Sequence, residues 1–218
     1  MQVLVKQFEV GNFNIFSYLI ADEEAKEGLF VDPSAEHDLL LREVENRGLT
    51  IKYIVNTHHH IDHVMGNEEM ARRTGAKIVI HKDDAPRLRN VDPGMLRMFG
   101  AELPPEADIL VSDGDLIEVG NVALKVIHTP GHTPGGMCLY IEKTPDNQGM
   151  LFTGDTLFVG TCGRTDFPGG SFEQLENAVT TRLYTLPGET VLFPGHNYAS
   201  RPTSTIEQER QTNDAIRG

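Results

Sequence analysis

Apolar side chains along this chain fall into short runs separated by polar, Gly- or Pro-bearing turns. Val3, Val5, Phe8 and Val10 give a broken alternation, Gly11-Asn12 makes a turn, and Asn14–Ile20 is β-rich throughout. After the charged turn Ala21–Lys26, Gly28–Val31 predicts a third strand ending at Asp32-Pro33. Leu39, Leu40 and Val44 have helical spacing, with Arg47-Gly48 as the C-terminal stop. Lys52–Asn56 reads as a strand, Gly66–Thr74 as a short helix stopped by Gly75, and Lys77–Ile80 as a buried strand ending at a structural His81. From Asp83 to Ala107 the pattern weakens, and Pro86, Pro93, Pro104 and Pro105 interrupt it. This predicts a loop or short-helix insertion overhanging a site, with Met95, Met98 and Phe99 as its apolar contacts.

The second half is strand-rich. Asp113-Gly114-Asp115 is a turn, Val122, Leu124 and Val126 alternate, and Met137–Ile141, Gly149–Thr153 and, last, Val191–Phe193 follow as strands. Phe172–Leu183 is a helix with a capping box at Ser171 and Gln174 and an apolar face of Leu175, Ala178, Val179 and Leu183. Strands interleaved with helices predict a layered α/β fold. Neither a repeat nor a linker is visible, so residues 1–218 are expected to form a single domain.

Composition narrows the function. The net charge of −13 leaves no basic stripe, which argues against nucleic acid as a partner but not against a local pocket for a small anion. No run approaches the ~18 apolar residues of a membrane span, and the N-terminus lacks the basic start of a signal peptide. Cys138 and Cys162 are too few for a disulfide framework. A cytoplasmic protein with no membrane partner is expected; the oligomeric state is not legible.

The candidate chemistry is concentrated in Thr57-His58-His59-His60-Ile61-Asp62-His63. Of nine His in the chain, four lie here, too dense for a polar loop rich in His by chance. In extended backbone His58 and His60 point one way and His59 the other, while a turn into helix aims Asp62 and His63 at a second point. Imidazole and carboxylate suit zinc, iron or manganese. Downstream, His132 lies between Gly and Pro residues, Asp155 follows a strand in Gly154-Asp155-Thr156, and His196 follows Pro194-Gly195. His58, His60 and His132 would form one site, Asp62, His63 and His196 a second, with Asp155 bridging them. Asp32 and Thr57 are candidates for holding the His tautomers, although Asp32 reads equally well as a turn carboxylate.

The pattern His58-x-His60-x-Asp62-His63 with His132, Asp155 and His196 resembles the metallo-β-lactamase fold superfamily over about residues 12–200. The resemblance implies an αββα sandwich of two mixed β-sheets flanked by helices, with metals at one edge. Thr129-Pro-Gly-His132-Thr-Pro-Gly, Thr153-Gly-Asp155-Thr-Leu-Phe and Pro194-Gly-His196-Asn-Tyr look like its glyoxalase II (hydroxyacylglutathione hydrolase) branch. That branch implies two divalent metal ions (Zn, Fe or Mn), the seven ligands divided as above, and a metal-bridging hydroxide that attacks a thioester such as S-lactoylglutathione. Asp62 and Asp155 then act in catalysis, and Arg164, Tyr198 and Cys162 lie where a glutathione-derived substrate is contacted. For Arg164 an ion pair with Asp166 is an equal alternative, and Cys162 is not expected to be a nucleophile. The β-lactamases themselves are a poorer match, because they use Cys where this chain has Asp155. The branch's helical C-terminal domain is not found in this sequence, so a short form is expected. The run Cys162–Phe167 and the tail Ser204–Asn213 also look like persulfide dioxygenases of the same superfamily, which hold one Fe, here on His58, His132 and Asp155. A lactonase and a non-catalytic metal sensor complete the alternatives.

Overall fold

The computed structural model describes residues 3–145 and 147–217. In chain order its elements are β1 Val3–Val10, β2 Ile15–Asp22, β3 Glu27–Val31, α1 His37–Arg47, β4 Thr50–Asn56, α2 Ile61–Val64, α3 Asn67–Thr74, β5 Lys77–His81, α4 Pro93–Phe99 and β6 Ile109–Val111. They continue with β7 Leu116–Val119, β8 Val122–His128, β9 Met137–Ile141, β10 Met150–Gly154, β11 Leu157–Phe158, β12 Thr161–Cys162, α5 Phe172–Ala178, β13 Val191–Pro194, β14 Ser204–Thr205 and α6 Ile206–Thr212.

Among the described residues the strands form two six-stranded sheets, ordered β1-β2-β3-β4-β5-β6 and β14-β13-β10-β9-β8-β7, and a small β11–β12 hairpin. The first sheet begins antiparallel and becomes parallel from β3 onward. The second is antiparallel except where β10 lies parallel to β13. Strand β2 is buried along its whole length because both of its faces are covered. One face, through Tyr18 and Ile20, packs with Leu29, Val31 and Val55 against Leu124, Val126, Leu139 and Phe152 of the other sheet. The opposite face, through Leu19, packs with Phe30, Ile54 and Ile78 under Leu40, Leu41 and Val44 of α1 and Met70 of α3. On the far side Ile127, Cys138 and Leu151 meet Leu175 of α5 and Ile206 of α6. The layers are therefore α, β, β, α.

Local chemistry explains the element ends. Gly48, in the left-handed region at φ 61°, closes α1 with its N–H on the Glu45 and Val44 carbonyls. Ser171 Oγ accepts from the Gln174 N–H, as the capping pattern predicts. Three expectations need correction. The buried stripe of α1 is Leu40, Leu41 and Val44, whereas Leu39 is 46% exposed; at ~100° per residue, positions 40, 41 and 44 cluster and 39 falls outside. The helix from Phe172 is α-helical only to Ala178, then widens into one π turn over Val179–Leu183. Finally, β13 is not the last strand, because Ser204-Thr205 returns to pair with it. Strands β6, β7, β11, β12 and β14 have two to four residues each, too few for alternation to reveal.

The two sheets are clamped at the end away from the C-terminal ends of β4 and β10. Buried Asp22, closing β2, accepts from the Asn121 N–H and Nδ2 (2.9 Å each) in the β7–β8 turn and from the Glu24 and Ala25 N–H groups. The Asn121 N–H and the other hydrogen bonds outweigh desolvation and lower its pKa to about 2. A depressed carboxylate stabilises the fold above its unfolded pKa of about 4, and that contribution disappears as pH falls through about 2. Urea unfolding at stepped pH is expected to show stability falling in this window, and Asp22→Ala to show a shallower fall. Parallel slopes in the two proteins would refute the assignment.

Candidate metal centre

Strand β4 ends at Asn56, the chain bends at Thr57 and His58, and His60 is extended before α2 begins at Ile61. That bend puts His58 and His60 on one focus and Asp62 and His63 on another. The loop between β8 and β9 brings His132, and the segments after β10 and β13 bring Asp155 and His196. Both sheets thus contribute, each from strand ends at one rim. Among the described residues, the ligand atoms of His58, His60 and His132 lie within 4.8 Å of one another, as do those of Asp62, His63 and His196. Asp155 stands between the two sets. Its Oδ1 is 3.4 Å from His63 Nε2, and its Oδ2 is 3.5 Å from His132 Nε2 and 3.3 Å from His196 Nε2. A Cβ on Gly195 would land on Asp155 Oδ1, so only Gly fits the approach of β13 to this carboxylate.

The outward nitrogens of four rings, His58, His63, His132 and His196, are engaged. His132 Nδ1 donates to the Arg164 carbonyl (2.7 Å) and His196 Nδ1 to the Phe13 carbonyl (2.9 Å). His63 Nδ1 contacts Asp32 Oδ2 (3.0 Å), and His58 Nδ1 contacts Thr57 Oγ1 (3.1 Å), whose own proton goes to Asp32 Oδ2 (2.6 Å). These bonds place the Nδ1 proton outward and leave Nε2 facing inward. Nε2 atoms then face each other at 3.3 Å between His58 and His132, and at 3.1 Å between His63 and His196. Asp155 Oδ1 is buried with no hydrogen-bond partner among the described residues. Facing lone pairs around an orphaned carboxylate oxygen fit cations.

Electrostatics agree. Burial, then the neighbouring imidazoles, push the pKa of His58 and His60 far down, so both are neutral donors. At His63 burial also works downward, but Asp155, Asp32 and Asp62 outweigh it and lift the pKa to about 10. A position this negative takes up either a proton or a metal ion, and metal would displace the proton. Burial raises the Asp155 pKa, yet the charges of His63 and His196 prevail and keep it ionised.

Asp32 and Thr57 hold the rings as the sequence predicts, and Asp32 does so from the left-handed region, φ 47°. His59 points away, as expected, and leads to a residue with no sequence signal. Fully buried Asp84 accepts from His59 N–H (2.9 Å), His59 Nδ1 (2.9 Å), Thr133 Oγ1 (2.8 Å) and Gly135 N–H (2.6 Å). It ties the His58–His63 loop to the His132 loop. Nothing distinguishes Asp84 from the neighbouring surface acids until the fold brings those donors to it. His81 is buried, stacks on His128 (4.1 Å, 12°) and, with Asp83 and His128, forms a further set whose ligand atoms lie within 4.8 Å of one another.

Above the rim lies a cleft of about 460 Å³. Helix α4 overhangs it with Met95, Met98 and Phe99, as the weak-pattern insertion predicts. Cys162, Arg164 and Tyr198 line it with Asp62 and Asp155. Arg164 makes the alternative contact: Nε and Nη2 bind Asp166 (2.7 Å each), and its guanidinium lies 3.9 Å over the Phe167 ring. Tyr198 stacks on His196 (4.7 Å, 9°), and burial followed by the charge of Asp155 raises its pKa to about 12. Burial raises the Cys162 thiol, which stays protonated.

The chain is 34% identical over 217 residues to a mitochondrial persulfide dioxygenase, ETHE1, of Bos taurus, covering 98% of this chain and 76% of that one. It is 34% identical over 202 residues to the hydroxyacylglutathione hydrolase of Pelagibacter ubique, covering 93% and 74%. Among solved structures, TTHA1623 in a di-iron-bound form superposes with a TM-score of 0.80 at 30% identity, covering 96% and 99%. The sequence model of the metallo-beta-lactamase superfamily matches residues 10–196, spanning every residue of the two triads and Asp155, and the chain belongs to that superfamily.

Proposed function

We propose that this protein is a hydrolase of the glyoxalase II type, which cleaves a glutathione thioester such as S-lactoylglutathione at two divalent cations. The observation that carries this reading is the position of Asp155, within 3.5 Å of imidazoles from both triads. A carboxylate reaching both sets is what a pair of cations requires, and a single ion would leave one set unused. His58, His60 and His132 would hold one cation, Asp62, His63 and His196 the other, with Asp155 on both. When bound, such ions supply an acidified water and a Lewis acid for the thioester carbonyl.

The chain's own groups do the rest. The outward Nδ1 bonds fix the imidazoles before substrate arrives. Asp62 lines the cleft and keeps Oδ2 3.7 Å from His196 Nε2, where it can orient the attacking water and take its proton. Tyr198 stays protonated at neutral pH, so its hydroxyl can donate to the thiol carrier. Arg164 can exchange Asp166 for a substrate carboxylate at small cost, since the pair is exposed. Phe99, Phe158 and Phe167 keep bulk water from the reacting carbonyl.

One observation favours a second reading, a mononuclear iron persulfide dioxygenase. His132 Nε2 lies 3.3 Å from His58 Nε2 and 3.5 Å from Asp155 Oδ2, so His132 neighbours both of the other groups on which a single iron would rest. Metal analysis of protein purified without added metal, followed by parallel assays, separates the two. We expect about two ions per chain, release of thiol from S-lactoylglutathione, and no oxygen uptake with glutathione persulfide. About one iron per chain with oxygen consumption would replace the hydrolase by the dioxygenase.

A further inference from the structure

Beside the cleft is a second cavity, of about 400 Å³, within the range of small-molecule sites. Ile61, Val91, Met95 and Phe167 supply apolar wall, and Arg87 and Asn90 are among its polar groups. Three separate parts of the chain build it. The turn at residues 85–87 and the loop at residues 167–168 are tied by Arg87 Nη1, which donates to the Pro168 carbonyl (3.2 Å). Helix α4 closes it through Met95, and Asp92 caps that helix by accepting from Gly94 and Met95 N–H groups. The cavity and the cleft share His60, Ile61, Met95 and Phe167. His60 belongs to the first triad, and its ring meets Phe167 edge-on at 5.6 Å. Two lobes therefore adjoin the reacting centre: one reaches Arg164 and Tyr198, the other Arg87 and Val91.

A thioester carbonyl held at the centre has two substituents, the thiol carrier and the acyl chain. Arg164 and Tyr198 give the first lobe donors that suit the carrier's carboxylates and amides. The second lobe, with Ile61, Val91, Met95 and Phe167 along its wall, has more room than the short, hydroxylated lactoyl group needs. We infer that the Val91 lobe is an acyl subsite, and that the protein's substrates carry an extended aliphatic acyl chain. For the acyl half this rests on the hydrolase reading; occupancy of the lobe can be measured apart from turnover.

S-methylglutathione and S-hexylglutathione are thioethers, inert to hydrolysis, and differ only in methylenes that would enter this lobe. Calorimetric titration of the metal-loaded protein is expected to give at least about tenfold tighter binding of the hexyl compound, since each buried methylene contributes severalfold. Val91→Trp, which takes up space in the lobe and replaces no metal ligand, is expected to bring the two affinities within about twofold of each other while leaving S-methylglutathione binding unchanged. Hexanoyl-glutathione should likewise exceed acetyl-glutathione in kcat/KM by about tenfold in the parent protein. Equal affinities in the parent, an affinity ratio that survives Val91→Trp, or failure of both thioethers to bind overturns the subsite. Chain-length-dependent binding without turnover of any thioester overturns the hydrolase and leaves the subsite standing.

Discussion

Replacing Asp155 with Ala is expected to abolish activity while leaving the fold in place. The carboxylate spans both triads, so its loss should reduce bound metal from about two ions per chain to less than one, and kcat/KM by at least about a thousandfold, equivalent to ~4 kcal/mol. The scaffold should survive, because Asp155 Oδ1 has no hydrogen-bond partner among the described residues and Oδ2 faces only the imidazoles. Mass-spectrometric metal content together with near-UV circular dichroism checks both halves of the expectation. Full stoichiometry in the variant would refute the spanning role, whatever the activity. Asp155→Asn separates charge from shape: a neutral amide of the same size should also lose metal, since it removes the charge on which the cations depend.

The second large effect is expected at Asp84, through stability. Asp84→Ala strands two backbone N–H groups, a hydroxyl and a ring nitrogen, with no other acceptor supplied in their place. Buried unsatisfied donors each cost ~1–3 kcal/mol, and partial relaxation brings the expected total to about 3–5 kcal/mol. Burial works against the Asp84 carboxylate, yet His59 and its other donors hold its pKa below the ordinary value, so it is charged at neutral pH. Urea denaturation of wild type and variant measures the difference directly. A change below about 1 kcal/mol would mean that the loops find other partners. Metal affinity should fall as well, because Asp84 fixes His59 N–H and Gly135 N–H, one residue after His58 and three after His132.

The candidate centre was more legible in the sequence than much of the fold. His and Asp at strand ends are rare enough that their spacing reports a shared focus, and His58 to His196 converge as that spacing implies. Ring-holding groups divide into side chains and backbone atoms, whatever their distance along the chain. Asp32 and Thr57 carry side chains that a reader can nominate, whereas the Phe13 and Arg164 carbonyls are backbone atoms and leave no trace in residue type. Arg164 illustrates the difference. Residue type points its side chain equally to substrate and to an ion pair with Asp166; the guanidinium makes that pair at the cleft wall, and the carbonyl adds a contact to the centre that residue type does not announce. Asp84 was invisible because its donors lie 25 to 51 positions away. Strand β14 and the π turn depend on the same long-range packing, which periodicity within a short window does not encode.

The attachment of His196 bears on when the centre is assembled. Gly195 and Asn197 pair with Phe16 and Asn14 at the start of β2, and His196 leans on the Phe13 carbonyl between them. A growing polypeptide therefore exposes its dense His cluster early, yet the set containing Asp62 and His63 is missing a member until residue 196 has been made. Ion capture at that set belongs to a chain made past residue 196, and a nascent one stalled before Gly195 would hold the start of β2 without this neighbour and half its trap open.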